Sequence, residues 1–85
     1  MFILTILGQE YDGVYSVINP NGDKIIYIFE EEDDAVRYAM MLEDEDYPEM
    51  HVIEVEDEEM IKTCKQYEYN YTIITENDIV IPPKY

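Results

Sequence analysis

The stretch Ile25–Glu43 constrains the fold more than any other part of the chain, because an apolar run changes there into an amphipathic helix. Ile25–Phe29 is β-branched and aromatic and is too short to be a helix of its own, so it predicts a strand. Five acids follow it, from Glu30 to Asp34. Helical spacing then predicts one apolar stripe, formed by Ala35, Tyr38, Ala39 and Leu42. The pattern indicates a strand that leads into a helix packed back on the same sheet.

Hydrophobic periodicity and turn residues predict the remaining elements. The further strands are Phe2–Leu7, Val14–Ile18, His51–Val55, Tyr69–Thr75 and a stub at Ile79–Ile81. The helices are Glu31–Glu45 and a shorter one that opens at Glu56-Asp57-Glu58-Glu59, with Asp57 as its N-cap. The segment from Asn19 to Asp23 predicts a tight hairpin turn with Gly22 in the left-handed conformation, so the strands on either side of it are expected to pair antiparallel.

The order of these elements predicts an α+β two-layer sandwich, β-β-β-α-β-α-β, with a mixed, largely antiparallel sheet and both helices on one face. A ferredoxin-like arrangement is the nearest familiar alternative, with the Val14–Phe29 hairpin in place of an expected helix. Residues 1–85 are expected to form a single domain, because 85 residues leave no room for a second core. Hydrophobic content of 47% favours a folded chain over a disordered acidic one.

The charge balance limits the partners of this chain. It has 21 Asp and Glu against five Lys and Arg, a formal net charge of −16. Nucleic acids and anionic membrane surfaces are therefore excluded as expected partners, since both are bound through cationic side chains. No stretch approaches the roughly 20 apolar residues of a membrane span. Cys64 is the only cysteine, so the chain cannot form an internal disulfide, and a cytoplasmic location is expected.

Several segments together resemble a known family. They are Phe29-Glu30-Glu31-Glu32-Asp33-Asp34-Ala35-x-Arg37-Tyr38-Ala39-x-x-Leu42-Glu43, Asp46-Tyr47-Pro48, Val52-x-Glu54-Val55, Glu58-Glu59 with Cys64 and Tyr67, and Ile81-Pro82-Pro83. They are similar to a small cyanobacterial and plastid family, domain of unknown function 3110. The early hairpin departs from it, with Gly13-Val14-Tyr15-Ser16 where a Gly-Ile-His-Thr-like stretch is expected. The resemblance implies a cyanobacterial or related source, including a phage, and transfers no catalytic residue.

The candidate sites for chemistry each have a simpler structural interpretation. The acids Glu30–Asp34 lack the alternating ligands and central glycine of a calcium loop, so a helix start with a solvated surface is favoured, and no metal ligand is assigned. Cys64 lies on the apolar stripe of the second helix, where a buried structural role is favoured over pairing with His51. No phosphate loop or nucleophile motif is present. We therefore expect a protein that is not an enzyme and uses no cofactor.

The tyrosines are the other candidate surface. Tyr67, Tyr69 and Tyr71 alternate and would share one face of the last strand, where covering the sheet and forming an interface are equally consistent with the pattern. If both helices cover one face, the other face is open to solvent or to a second copy. A homodimer through that open face is therefore a second expectation.

Two functions are consistent with these patterns. The favoured one is a non-catalytic interaction or regulatory module that docks a basic protein partner, with an acidic mimic of DNA as a variant. The alternative is a domain that binds a small ligand or a divalent ion. The candidate interaction residues are Glu31, Glu32, Asp33, Tyr47, Tyr67, Tyr69 and Tyr71.

Overall fold

A computed structural model describes residues 1–6, 8, 13–78 and 80 of the chain. The strands are β1 (Phe2–Ile6), β2 (Ser16–Ile18), β3 (Lys24–Phe29), β4 (Met50–Glu54) and β5 (Asn70–Ile74), and the helices are α1 (Glu32–Asp44) and α2 (Asp57–Gln66). This α+β fold has the predicted order β-β-β-α-β-α-β. Leu7 and the ends of the predicted stub, Ile79 and Ile81, lie outside the described residues.

Strand β2 is two residues shorter than the predicted Val14–Ile18. The Tyr15 amide donates to the Leu4 carbonyl at 2.7 Å, so this part of the chain is tied to β1 before β2 begins at Ser16. The hydrophobic pattern alone could not distinguish an apolar approach to the sheet from the strand itself.

The sheet is mixed. β1 pairs antiparallel with β3 and β4, β2 pairs antiparallel with β3, and β5 pairs parallel with β3. Strands β3, β4 and β5 therefore run in the same direction. The register places Glu54, Phe2, Phe29 and Ile74 side by side in one row across four strands. The last residues of β3, β4 and β5 consequently meet at the same end of the sheet.

The two helices lie on opposite faces of the sheet, so the prediction of two layers with both helices on one face was wrong. Neighbouring strand residues point to opposite faces. Leu4 and Phe29 pack with the buried stripe of α1, whereas Ile3 and Ile28, one position earlier in each strand, pack with Cys64 of α2. Helix α2 leaves from the β4 edge and returns to the β5 edge, and its apolar stripe fits either face. The periodicity of the helix therefore did not determine its side.

Helix α1 holds the larger core. Its four stripe residues are buried as predicted, namely Ala35, Tyr38, Ala39 and Leu42. The ring of Tyr38 lies 5.5–5.7 Å from the ring centres of Tyr15, Tyr27 and Phe29. The Tyr38 hydroxyl is 3.0 Å from that of Tyr15. Burial, followed by this hydrogen bond, raises the pKa of Tyr38 well above its ordinary value.

The turn between β2 and β3 has the predicted geometry. Gly22 has φ = +88° and donates its amide to the Asn19 carbonyl at 2.9 Å. The Asn19 side-chain oxygen accepts from the amides of Asn21 and Asp23, which fixes the turn from within. The resulting hairpin places Ile18 opposite Lys24.

Candidate interaction surface

The shared end of β3, β4 and β5 carries most of the acids of the chain. Helix α1 starts after β3, helix α2 starts after β4, and a turn follows β5. Five acids lie at the start of α1, five lie at the end of β4 and the start of α2, and two follow β5. We call these twelve residues the acidic end: Glu30, Glu31, Glu32, Asp33, Asp34, Glu54, Glu56, Asp57, Glu58, Glu59, Glu76 and Asp78.

The helix termini favour this accumulation of charge. Both helices begin at the acidic end, and their N-terminal dipoles stabilise negative charge there. Neither N-cap residue, Glu31 or Glu56, makes a side-chain capping bond, so Asp57 is the first helical residue and not the predicted cap. The carboxylates of these two caps are therefore not engaged by the first turn of either helix.

Positive charge near the acidic end is sparse. In the residues that the structure describes, the ion pairs are Arg37 with Asp34 at 3.3 Å and the amino group of Met1 with Asp57 at 2.9 Å. Four strands at a spacing of about 4.8 Å make the sheet roughly 14 Å wide here, less than two screening lengths at physiological salt. The carboxylates therefore act together as one negative surface.

The acids predicted from the first helix all lie on this surface. Glu31, Glu32 and Asp33 are exposed around the first turn of α1. Nothing in the sequence alone groups them with the acids of α2 or with Glu76 and Asp78. Each of those acid runs is visible in the sequence, but only the parallel directions of β3, β4 and β5 bring them to one end.

Tyr67 and Tyr69 form an exposed pair, which we call the tyrosine pair. Their rings stack with centroids 5.7 Å apart and an angle of 25° between the planes. They are 60% and 53% exposed. Both precede β5, so the prediction that they share the face of that strand as strand residues was wrong.

The end of α2 explains the tyrosine pair. Glu68 has φ = 57°, and its left-handed conformation turns the chain between the two tyrosines. The Tyr69 amide donates to the Cys64 carbonyl at 2.7 Å, and the Glu68 amide donates to the Lys65 carbonyl at 3.3 Å. These are the two bonds of a Schellman motif, in which glycine usually occupies the left-handed position. Helix α1 ends in the same way, with Asp46 at φ = 66°.

The tyrosine pair and the acidic end are far apart. The tyrosine pair lies before the first residue of β5, and the acidic end lies beyond its last residue. The six residues between Tyr69 and Glu76 span about 20 Å in extended conformation. Tyr71 is half-buried against the α2 side of the sheet. The predicted acids and tyrosines therefore do not form one continuous site.

Tyr47 lies apart from both the acidic end and the tyrosine pair. It is half-buried beside the α1 core and lines a depression of about 400 Å³ with Tyr15, Pro48 and Met50. Ile6 and Val14 form another part of the lining. The described lining of this depression carries no charged side chain.

The remaining reactive groups have structural surroundings. Cys64 is completely buried, and burial raises the pKa of its thiol, which disfavours the reactive thiolate. Within the described part of the chain, no three His, Cys, Asp or Glu side chains are arranged to hold a metal ion. In the same residues, neither helix is long and apolar enough to cross a membrane.

Comparison with known proteins places the chain in a family. No curated protein and no solved structure matches it. One family model does match, and it covers residues 1–84. The chain therefore belongs to the family described as a domain of unknown function, DUF3110.

Proposed function

We propose that this protein is a non-catalytic interaction module that docks a basic protein partner on its acidic end. The observation that carries the proposal is the convergence of twelve carboxylates on one end of the sheet, with ion-pair partners described for Asp34 and Asp57. The two helix dipoles stabilise the nearest of these acids, but the mutual repulsion of twelve like charges at one end lowers the stability of the fold. A partner that brings the opposite charge would relieve their repulsion, which is the physical reason to assign the surface a binding role.

The acids would act mainly on the rate of association. A negative surface attracts a basic partner over several ångströms and orients its approach, whereas close apolar contacts govern dissociation. A nucleic-acid-binding protein is one form of such a partner, because its basic surface already fits a dense array of anions. The tyrosine pair lies about 20 Å away, so it could contribute only to a partner that spans the full length of β5.

The test compares two variants with the same change in net charge. The first neutralises part of the acidic end through Glu31→Gln, Glu32→Gln and Asp33→Asn. The control neutralises three acids at the opposite end of α1 through Glu43→Gln, Asp44→Asn and Glu45→Gln. Proteins captured by the immobilised wild type from a host extract supply the partner, and association and dissociation rates are then measured at low and moderate salt.

We expect the first variant to slow association by about tenfold at low salt with little change in dissociation, and the control variant to have a much smaller effect. The difference between the two should shrink as salt is added. An equal effect of both variants would mean that net charge alone matters, and the acidic end would lose its assigned role. An unchanged association rate in the first variant would also refute the proposal.

Binding of a small ligand is the second candidate function, and the depression beside Tyr47 favours it. Its volume of about 400 Å³ is in the range of small-molecule sites, and its described lining is mostly apolar. A neutral, apolar ligand fits this lining better than a charged one. Screening neutral aromatic fragments by NMR, with Tyr47→Ala as the control, would detect it, and calorimetry with Ca²⁺ and Mg²⁺ would test the divalent-ion alternative.

A further inference from the structure

We infer that a second copy of this chain docks on an exposed patch beside the end of α2, giving a two-fold dimer whose acidic ends face away from each other. The patch is formed by Ile18, Lys24, Tyr67 and Tyr69, and we call it the tyrosine patch. The sequence pattern predicts a dimer through an open sheet face, but helices cover both faces of the sheet. The tyrosine patch is the part of the α2 side that extends beyond the helix.

The strand register brings the members of the tyrosine patch together. Ile18 is the partner of Lys24 across the hairpin, and Ile25 is the partner of Asn70 in the parallel pair. Tyr69, one residue before Asn70, therefore lies level with Lys24. These two side chains line one groove of about 390 Å³ together with Ile26. Ile26 packs on the α2 side of the sheet, which places the groove on that side.

The tyrosine patch concentrates exposed apolar surface. In the part of the chain that the structure describes, five large apolar side chains are prominently exposed, and three of them belong to the patch. Ile18 is 59% exposed, and the two tyrosines are exposed to a similar degree. A tyrosine buries roughly 150–250 Å² when fully covered, so the tyrosine pair offers about 200 Å² of further contact. Stacking limits the rotamers of both rings, which lowers the entropy that an interface must overcome.

Charge selects a second copy as the occupant. An interface with two-fold symmetry must be complementary to itself, so any charges in the patch have to balance. Among the described residues, the charged members of the patch and its sequence neighbours are Lys24 and Lys65 against Asp23 and Glu68, and these four charges balance. Neither a strongly basic nor a strongly acidic partner would find a net charge to match here.

The position of the patch avoids repulsion between the acidic ends. The acidic end lies about 20 Å from the patch along β5, so a two-fold axis perpendicular to β5, which makes the two β5 strands antiparallel, separates the acidic ends by up to about 40 Å. That distance is about five screening lengths at 0.15 M salt. The acids at the end of α1 lie on the other face of the sheet. Self-association at this patch is therefore the arrangement that the net charge of −16 opposes least.

The interface would be small. A stable interface of standard size covers about 800 Å² on each partner, close to one-eighth of the 6084 Å² surface of this protein. The exposed tyrosines and Ile18 supply only the centre of such an area. We therefore expect a weak dimer that forms in a concentration-dependent manner.

Sedimentation equilibrium between about 1 µM and 1 mM protein tests the dimer, because this range brackets weak interfaces of this size. The test variant combines Ile18→Ser with Tyr69→Ser. The matched control combines Val36→Ser with Met40→Ser, which removes two exposed apolar side chains from the outer face of α1. Circular dichroism confirms that each variant is folded.

We expect the wild type and the control to dimerise alike, and the patch variant to raise the dissociation constant at least about tenfold. Hydrogen exchange on the wild type provides a measurement that requires no variant. Its amides at Lys24 and Tyr67–Asn70 should gain protection as the protein concentration rises, while those at Glu31–Asp33 should not. A wild type that stays monomeric throughout, equal weakening in both variants, or protection confined to the acidic end would each overturn the inference.

This test is independent of the proposed function. The variant with Glu31→Gln, Glu32→Gln and Asp33→Asn leaves the tyrosine patch intact, so it should dimerise at least as well as the wild type. Loss of partner binding with retained dimerisation would support both proposals separately.

Discussion

The backbone conformation of the β2–β3 turn restricts which residues can replace Gly22. Gly22 has φ = +88°, and a Cβ atom built on it would meet nothing within 4 Å. Space is therefore available for a side chain at position 22. Only the left-handed backbone conformation makes a residue other than glycine unfavourable there. A β-branched residue is the least tolerant of that conformation, whereas asparagine is among the most tolerant.

We expect Gly22→Val to lower the free energy of unfolding by about 1 kcal/mol or more, and Gly22→Asn to lower it by less. Urea denaturation of both variants measures the difference. Equal losses for valine and asparagine would show that steric contacts, and not the backbone conformation, make glycine necessary here.

The Tyr38 hydroxyl links stability to alkaline pH. Its pKa is raised above the ordinary 10.0, first by burial and then by the hydrogen bond with Tyr15. The unfolded chain therefore loses this proton at a lower pH than the folded chain does. The stabilising effect is complete below about pH 10 and is lost as the pH rises above that value.

Replacing Tyr38 by Phe removes this contribution. We expect Tyr38→Phe to lower stability at pH 7 by about 1 kcal/mol through the lost hydrogen bond, and to weaken the dependence of stability on pH above about 10. Denaturation between about pH 8 and 11 gives both effects. Tyr67→Phe, at an exposed tyrosine, is the control and should keep the wild-type profile. An unchanged slope in Tyr38→Phe would exclude Tyr38 as the titrating group.

The close packing of α1 on the sheet depends on the small side chain of Ala39. Ala39 is 8% exposed and lies in the buried cluster with Leu4, Phe29 and Leu42. We expect Ala39→Leu to cost roughly 1–3 kcal/mol, because three further carbons have no space at this contact. Met40→Leu, on the exposed face of the same helix, should be nearly neutral. Equal thermal midpoints for the two variants would contradict the close contact at Ala39.

The ends of both helices contain residues that the left-handed conformation disfavours. Glu68 and Asp46 occupy positions where glycine is usual. We expect Glu68→Gly to raise the free energy of unfolding by up to about 1 kcal/mol, since it relieves the backbone and removes a negative charge from the negative end of α2. The control Lys62→Gly, in the middle of α2, should lower stability by about 1 kcal/mol. A destabilised Glu68→Gly variant would mean that Glu68 makes a compensating contact.

For the whole molecule, the acidic end makes stability depend on salt. Its carboxylates lie within a few screening lengths of one another and repel. We expect the thermal midpoint to rise between about 10 mM and 150 mM salt. The Glu31→Gln, Glu32→Gln, Asp33→Asn variant should show a smaller rise than the wild type, because three of the repelling charges are gone. A flat midpoint in the wild type would show that the acids are balanced within the folded state.

The sequence by itself determined the elements and their order. The stripe of α1 and the turn at Gly22 follow from local spacing and local backbone conformation, so both could be predicted. Cys64 could be predicted to be buried because a helix with one apolar stripe turns that stripe inward. Sequence similarity also indicated the family.

The tertiary structure decided how these elements combine. A helical stripe packs equally well on either face of a sheet, so only the assembled sheet placed α2 opposite α1. The directions of β3, β4 and β5 gathered three separate acid runs at one end. The turn at Glu68 stacked two tyrosines that an alternating pattern had assigned to a strand. The first two outcomes depend on pairing between distant segments, about which local sequence patterns carry no information. The third depends on a left-handed residue at the end of α2, and the sequence has Glu68 there in place of the glycine that usually signals such a turn.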